Sequence, residues 1–480
     1  MHKKRTKIVC TLGPASQSLE LIRKMVEEGM NVARLNFSHG THENHEMLIK
    51  NVRQIEKETG EAVAIIQDLQ GPKIRIGILP RDGVKLKSGE KIVFDTASFD
   101  YKDGMIPVDY HDLHKYLKKD EVMLLDDGRL EVRVLDVKGT KIFAEVVIGG
   151  NIISHKGINV PDSGLTVHAL TDKDKDDIQF GVDHDVDWIA LSFVSCADDI
   201  LDARYLIQQC EAKMKKKSGQ PIRLIAKIER KVALKNIREI IDAADGIMIA
   251  RGDLGIEMPA PEVPLIQKKL VDMAVSVAKP VIVATQMLDS MQHNLRPTRA
   301  EVSDVANAVI DHTDAVMLSN ETATGDFPVE AVHIMNEIVS GTEESAYDNM
   351  VLPALNGKRQ TVEDTVCQMA RVAAERLDAK IIVSASISGE TARLISRYRP
   401  ELPIVVSTNT ERVRRQLNLS WGVLPFVLEP CRSIEELIDR SFTHLKALKV
   451  VKKGERAIVV SGEPVGQAGN VNLLEIREIN

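Results

Sequence analysis

Eight short apolar runs, each closing on residues able to do chemistry, set the rhythm of this chain. The run 8–12 gives way to Gly13, 32–35 leads into Asn36, Ser38 and His39, 63–66 ends at Asp68, and 189–191 ends at Ser192. Further on, 224–226 ends at Lys227 and Glu229, 247–250 at Arg251 and Asp253, 281–284 at Thr285 and Gln286, and 316–318 at Ser319 and Glu321. Runs this short and rich in β-branched residues predict strands buried on both faces. Between most of them lies a helical pattern, as in Leu19, Ile22 and Met25 with charges interleaved. Spacings of roughly 30 residues fit repeated βα units. Eight such units predict a closed parallel (β/α)8 barrel, in which reacting groups stand where the strands end, at the C-terminal face. The polar tails therefore converge on one site, the first and fourth only shaping its rim.

The beat fails once, where about 120 residues instead of about 30 separate the third run from the fourth. The intervening sequence alternates through Leu130, Val132 and Val134, reaches Lys138-Gly139-Thr140, and alternates again through Ile142, Ala144 and Val146. Period two around a tight turn predicts an antiparallel hairpin. A small β-barrel domain is expected at 72–168, hung over the barrel mouth as a lid because it leaves from the end of the third strand. The barrel takes 1–71 and 169–345. Breakers and lost periodicity at 345–360 mark a second boundary. Beyond it, 346–480 resumes alternation with a helix at 361–377 and strands at 380–384, 404–407, 423–427 and 457–461, among five strands of an open α/β sheet.

Composition narrows the class. A chain of 480 residues is too long for one ordinary core. The formal charge of -7 argues against nucleic-acid binding, and the basic cluster Lys213 to Lys217 reads as a solvated helix end. Cys10, Cys196, Cys210, Cys367 and Cys431 are odd in number and lack metal-ligand spacing, which fits a reduced, cytoplasmic compartment. The basic N-terminus enters the first strand without an apolar signal core, and no run approaches the roughly 20 apolar residues of a membrane helix.

The fifth and sixth tails carry the strongest chemical pattern. Ala226-Lys227-Ile228-Glu229 and Ile249-Ala250-Arg251-Gly252-Asp253-Leu254-Gly255 set two carboxylates on adjacent strand ends. With room for water and substrate oxygens, they make an open octahedral site suited to Mg²⁺ or Mn²⁺. The plainer reading pairs Glu229 and Asp253 with Lys227 and Arg251 across the rim. Lys227 on a buried strand needs an anionic partner; phosphate is one candidate, and Schiff-base chemistry is the competing one. Arg34, and Arg75 beyond the third tail, suit phosphate or carboxylate, or form surface ion pairs. Thr285 is either a satisfied core hydroxyl or, facing a metal, a proton relay. His39 caps a turn or touches a nucleotide.

A second cluster follows the run 381–384. Ser384, Ser386, Ser388, Gly389 and Thr391 precede or open a helix containing Arg393 and Ile395. Hydroxyls and amides around a glycine there form either a phosphate cradle or an ST-turn cap.

Together these residues resemble the pyruvate kinase family over nearly the whole chain. The matching motifs are Thr-Lys-Ile-Val-Cys-Thr-Leu-Gly-Pro at 6–14, Asn-Phe-Ser-His-Gly at 36–40, Gly-Pro-Lys-Ile-Arg at 71–75 and Arg-Gly-Asp-Leu-Gly at 251–255. Ala-Thr-Gln-Met-Leu at 284–288 and Pro-Thr-Arg-Ala-Glu-Val at 297–302 match as well. The resemblance implies a TIM barrel with a β lid and a C-terminal α/β regulatory domain, and transfer of the phosphoryl group of phosphoenolpyruvate to ADP in glycolysis. It implies that Glu229 and Asp253 hold Mg²⁺ or Mn²⁺, that Lys227 stabilises the phosphoryl group in flight, and that Arg34 grips the substrate phosphate. Thr285 would help protonate the enolate to give pyruvate, with Ser319 and Glu321 as support. The backbone at Gly252 and Asp253 would bind the substrate carboxylate. His39, Arg75 and Lys156 would contact nucleotide phosphates, and Asp127 is the lid acid able to swing toward the metal. A homotetramer is implied, with allostery through domain rotation.

Three departures stand out. Lys73 occupies a position where K⁺-dependent members carry Glu, and Leu69-Gln70 replaces their Thr-Lys pair. Activity without K⁺ is therefore expected, even though Asn36, Ser38 and Asp68 match most of the K⁺ ligands. Asn320 stands where Gly or Ala is usual, with no evident purpose. In the C-terminal loop Glu390 replaces the Lys or Arg common in members that bind a bisphosphate, so a sugar monophosphate or AMP is the expected activator. Rival readings are a Mg²⁺-dependent carbon-carbon lyase on the same barrel and an inactive sugar-phosphate sensor.

Overall fold

In the computed structural model, which describes residues 4–161, 169–213, 220–351, 361–462 and 471–479, each of the eight apolar runs is a strand. They are β1 (Lys7–Leu12), β2 (Val32–Asn36), β3 (Ala64–Asp68), β4 (Trp188–Leu191), β5 (Arg223–Ile228), β6 (Gly246–Ala250), β7 (Val281–Ala284) and β8 (Ala315–Leu318). All pair in parallel with their sequence neighbours, and β8 pairs with β1 to close the barrel. β3 and β4 are adjacent, with Ile66 opposite Trp188, in spite of the long insertion between them.

Side chains alternate across each strand. Val9, Val32, Ile66, Trp188, Ala190, Ile225, Met248 and Ala284 fill the barrel interior, while Ile8, Ala33, Ile65, Leu224 and Ile249 face the surrounding helices. Local signals set those helices. Leu19–Glu27 starts where the Ser18 side chain accepts from Leu21 N and buries Ile22, Met25 and Val26. His42–Thr59 opens on a Thr41/Asn44 capping box and stops at Gly60, whose φ of 74° suits glycine.

The insertion contains the expected hairpin: Leu130–Lys138 runs antiparallel to Lys141–Ile148 and turns at Gly139. Its described strands form a six-stranded sheet and a two-stranded ribbon around one core that includes Phe94, Val132, Val134 and Ile142, a half-barrel in shape. The C-terminal sheet has four parallel strands, Val423–Val427, Ile404–Thr408, Ile381–Ala385 and Arg456–Ser461, and an antiparallel edge strand, Leu473–Glu478. It docks at the barrel base. Arg415 Nε donates to Asp187 Oδ1 at 2.7 Å and Arg399 Nη2 to Asp314 Oδ2 at 3.0 Å, and Leu419 joins the interior cluster. Both aspartates immediately precede strands, at the end opposite the polar tails. The lid's return at 162–168, most of the basic cluster, at 214–217, and the boundary segment 352–360 lie outside the described residues.

Candidate active site

Strand alternation explains why charged groups meet inside an apolar barrel. Val9, Val32, Ile66, Ala190 and Ile225 face inward, and the next inward position along each run brings Thr11, Arg34, Asp68, Ser192 and Lys227 to the mouth. Lys227 is 8% exposed. Its Nζ lies 2.9 Å from Glu229 Oε1 and 3.1 Å from Asp68 Oδ1, and it donates to Ser192 Oγ at 2.7 Å. Arg34 Nε donates to Asp68 Oδ2 at 2.6 Å and its Nη1 to Thr11 Oγ1 at 2.9 Å.

Electrostatics decide the charge states. Burial pushes Lys227 down, but Asp68 and Glu229 outweigh it and hold the ammonium above its ordinary value. Burial likewise pushes Asp68 up, yet Lys227 and Arg34 leave it below the usual carboxylate range. An ammonium this firmly charged is ill suited to Schiff-base formation, which needs a free amine.

The expectation that the first and fourth tails only shape the rim needs correction. Thr11 receives Arg34 and donates to Leu318 O at 3.0 Å, while Ser192 receives Lys227 and donates to Leu69 O at 2.7 Å. One residue on, Phe193 N, at a φ of 57°, donates to Glu229 Oε2 at 2.7 Å. These two tails orient the catalytic candidates.

The two candidate metal ligands are Glu229 and Asp253. Burial raises the Glu229 pKa, Lys227 opposes that shift, and Asp253 adds to it. Two hard carboxylates whose negative charges repel, Glu229 buried and Asp253 partly exposed, fit a divalent cation with water or substrate completing the shell. Among the described residues no group of three or more His, Cys, Asp or Glu side chains is arranged to hold a metal. Lys73 Nζ lies 4.0 Å from Asp253 Oδ1 and 3.7 Å from Asp127 Oδ1, joining the barrel to the inserted domain. Its described ion pairs do not include Asp68.

Arg251 does not pair with Asp253. It forks onto Asp304, with Nη1 2.8 Å from Oδ1 and Nη2 2.8 Å from Oδ2, so the rim salt bridge holds only for Lys227 and Glu229. Thr285 and Gln286 follow β7 with φ of 71° and 54°. For a β-branched residue this region costs of order 1–3 kcal/mol and marks a place where geometry is bought elsewhere. Thr285 Oγ1 donates to Ala284 O at 2.6 Å and accepts from Gly252 N at 2.7 Å. Glu321, 2% exposed, receives Ser319 N at 2.7 Å and Leu288 N at 3.2 Å. It braces the turn after Thr285.

The remaining candidates ring the mouth. Asn36 Oδ1 receives Ser38 N at 3.1 Å, and exposed His39 offers its carbonyl to His45 Nε2 at 3.0 Å. On the inserted domain, Arg75 Nη1 donates to His155 O at 3.0 Å, and Lys156 Nζ lies 2.7 Å from Asp126 Oδ1. A cavity of about 500 Å³ opens between the tip of this domain, at Asp127 and Gly128, and the barrel residues Arg251, Gly252 and Gln286.

The C-terminal loop lies at the barrel base. Gly389 has a φ of 81° and begins the helix Glu390–Ser396, and Ser388 Oγ accepts from Glu390 N at 3.4 Å. Ser386 N donates to Ser407 O at 2.9 Å, and Ser384, Ser386 and Thr391 are buried. Burial, and after it Arg223, push the Arg393 guanidinium down to about 9. Asp245 and Glu390 oppose that shift without cancelling it.

Two family descriptions match the chain: "Pyruvate kinase, barrel domain" over residues 3–332 and "Pyruvate kinase, alpha/beta domain" over residues 364–477. Pyruvate kinase from Geobacillus stearothermophilus is 43% identical over 481 residues, covering 100% of this chain and 81% of the relative. Pyruvate kinase from Thermococcus litoralis is 41% identical, covering 99% of this chain and 98% of the relative. Among solved structures, a pyruvate kinase from Cryptosporidium parvum superposes with a TM-score of 0.91 at 34% identity, covering 100% of this chain and 97% of that one.

Proposed function

The chain belongs to the pyruvate kinase family, and from that premise we propose how its own side chains move a phosphoryl group between phosphoenolpyruvate and ADP. The enzyme is a phosphotransferase whose ligands are phosphoenolpyruvate, ADP or ATP, and pyruvate. The P–O bond to the enolpyruvate oxygen breaks, a P–O bond forms to a terminal oxygen of ADP, and the enolate left behind takes a proton at carbon.

Arg34, its plane fixed by Asp68 and Thr11, grips the substrate phosphate. Lys227 sits where charge passes from donor to acceptor and contributes electrostatics with no covalent step. Glu229 and Asp253 would hold Mg²⁺ or Mn²⁺, which supplies positive charge at the enolpyruvate oxygens when bound. The amides of Gly252 and Asp253 receive the substrate carboxylate, Gly252 exchanging its bond to Thr285. With its oxygen released, the Thr285 hydroxyl turns its proton from Ala284 O toward the enolate carbon, directly or through water, with Ser319 and Glu321 as support. His39, Arg75 and Lys156 meet the nucleotide phosphates, and Asp127 approaches as the inserted domain closes.

Lys73 provides the charge that a monovalent cation would bring beside Asn36, Ser38 and Asp68, so the enzyme works without K⁺. Ser384, Ser386, Ser388, Gly389 and Thr391 cradle the phosphate of a sugar monophosphate or AMP. The three domains are 1–71 with 169–345, 72–168, and 346–480, and the enzyme is a cytoplasmic homotetramer. No described helix is long and apolar enough to cross a membrane.

The observation that carries the proposed roles is Lys227, buried and charged, bonded to Ser192 between Asp68 and Glu229. Pyruvate formation from phosphoenolpyruvate, ADP and Mg²⁺, followed with a coupled dehydrogenase, tests it. Lys227→Met should lose about 10³-fold in kcat, the scale for removing a preorganised charge, and a variant within a fewfold of wild type would refute the assignment.

A further inference from the structure

Resting on the reading of Thr285 as the group that serves the enolate carbon, we propose that Arg251 is the positioning residue that holds the Thr285 hydroxyl in its reactive place. Nothing in the sequence marks Arg251 for this; it follows from a clamp visible only in the fold. Arg251 Nη2 donates to the carbonyl of Thr285 at 2.8 Å and to that of Gln286 at 3.2 Å, and lies 2.8 Å from Met287 Sδ. One guanidinium thus touches three consecutive residues of the turn in which Thr285 and Gln286 adopt positive φ.

The clamp is anchored. Asp304, on the helix Arg299–Ile310, takes Nη1 and Nη2 through its two oxygens at 2.8 Å each, and Gln267 Oε1 accepts from Nη1 at 3.3 Å. The Arg251 side chain is 10% exposed. The next residue completes the grip from the hydroxyl side, for Gly252 N donates to Thr285 Oγ1, and a Cβ at Gly252 would stand 3.3 Å from that oxygen. Arg251 fixes the backbone on which the hydroxyl stands, while Gly252 holds the hydroxyl only until the substrate carboxylate takes its amide, so the lasting constraint on Thr285 comes from Arg251. Only a planar fork with several fixed donors reaches a carboxylate and two carbonyls together, which an ammonium cannot do.

The test separates carbon protonation from phosphoryl transfer. In D₂O with Mg²⁺, ATP and pyruvate, loss of the pyruvate methyl signal in proton NMR reports proton exchange at that carbon. Arg251→Ala should exchange about 10- to 100-fold more slowly, the cost of misplacing a reacting group by a fraction of a bond length, with little change in KM for phosphoenolpyruvate. Added guanidinium should restore part of the rate, Arg251→Lys should not, and Asp304→Asn should give a smaller loss of the same kind. Wild-type exchange in Arg251→Ala overturns the proposal. So does a loss that tracks a fall in melting temperature, slows turnover and exchange equally and resists guanidinium. Thr285→Ala is the control: exchange at the wild-type rate there removes the role of Thr285 and this proposal with it, whereas a defect in Thr285→Ala alone removes only the role of Arg251.

Discussion

The Lys73 ammonium stands 4.0 Å from the Asp253 carboxylate, a carboxylate assigned above to the divalent ion. Their side chains are 26% and 30% exposed, so the pair is worth no more than about 1 kcal/mol. A bond that weak is easily surrendered. As the inserted domain moves or a metal arrives, Lys73 is free to follow Asp127, its partner at 3.7 Å, or to turn toward transferred phosphate.

This placement predicts how the enzyme responds to K⁺. In tetramethylammonium buffer the wild type should be active, and adding K⁺ should change its rate little. Lys73→Glu should make the rate depend on K⁺ by about tenfold or more, since a charge reversal a few ångströms from phosphate is worth that much even in a screened site. Strong K⁺ activation of the wild type would defeat the prediction.

Ser192 bridges Lys227 and the carbonyl of Leu69 through one hydroxyl. Ser192→Ala removes a hydrogen bond to a charged group, a loss of about 1.5–3 kcal/mol that is felt wherever Lys227 must be aimed. The expected result is a drop of about tenfold or more in kcat with a melting temperature lower by only a few degrees. Steady-state kinetics with thermal unfolding checks both halves, and an unchanged kcat would leave Ser192 as packing alone.

The barrel was legible because its strands are unbroken apolar runs, and Lys227, Glu229 and Asp253 were legible because chemistry clusters where such runs end. Thr11 and Ser192 were not. A hydroxyl acquires its meaning from its partner, and these partners belong to other strands that only barrel closure brings adjacent. The same holds for Arg251, whose partner Asp304 lies 53 residues away while Asp253 stands two positions on. The edge strand Leu473–Glu478 was counted but not placed, since its burial is only partial and carries no clear alternation. The purpose of Asn320 has no explanation in the structure.

Lys4 should impose a pH dependence on stability. Its Nζ donates to Gly29 O at 2.7 Å and Asn31 Oδ1 at 2.9 Å, and burial, with Lys7 adding, lowers its pKa from 10.5 to about 7. A lysine depressed in the fold binds fewer protons there than in the unfolded chain, so stability rises with pH across the interval between the two values. Below pH 7 both states are charged and the penalty is complete; above about 10.5 both are neutral and it vanishes. The melting temperature of the wild type, measured against Lys4→Met, should therefore improve from pH 7 toward pH 10, and a flat difference would show that Lys4 stays charged in the fold.

Control from the C-terminal loop should run along β5. Ser388 O accepts from Arg223 Nη2 at 2.7 Å, and Arg223 is the first residue of the strand whose far end carries Lys227. Asp245 holds the same guanidinium at 3.0 Å, so Arg223 joins the loop to the turn before β6 as well. An anion settling among Ser386, Ser388 and Thr391 would draw Arg223 and Arg393 toward it and shift both strands at their base. At subsaturating phosphoenolpyruvate, ribose 5-phosphate, glucose 6-phosphate or AMP should raise the rate. Arg223→Met should shrink that activation by about fivefold or more, the lower end of ordinary allosteric coupling. Glu390→Lys, which removes a carboxylate from the loop, should extend the response to a sugar bisphosphate. Activation by none of these compounds in the wild type would exclude the loop as an effector site, whereas full activation in Arg223→Met would exclude β5 as its route.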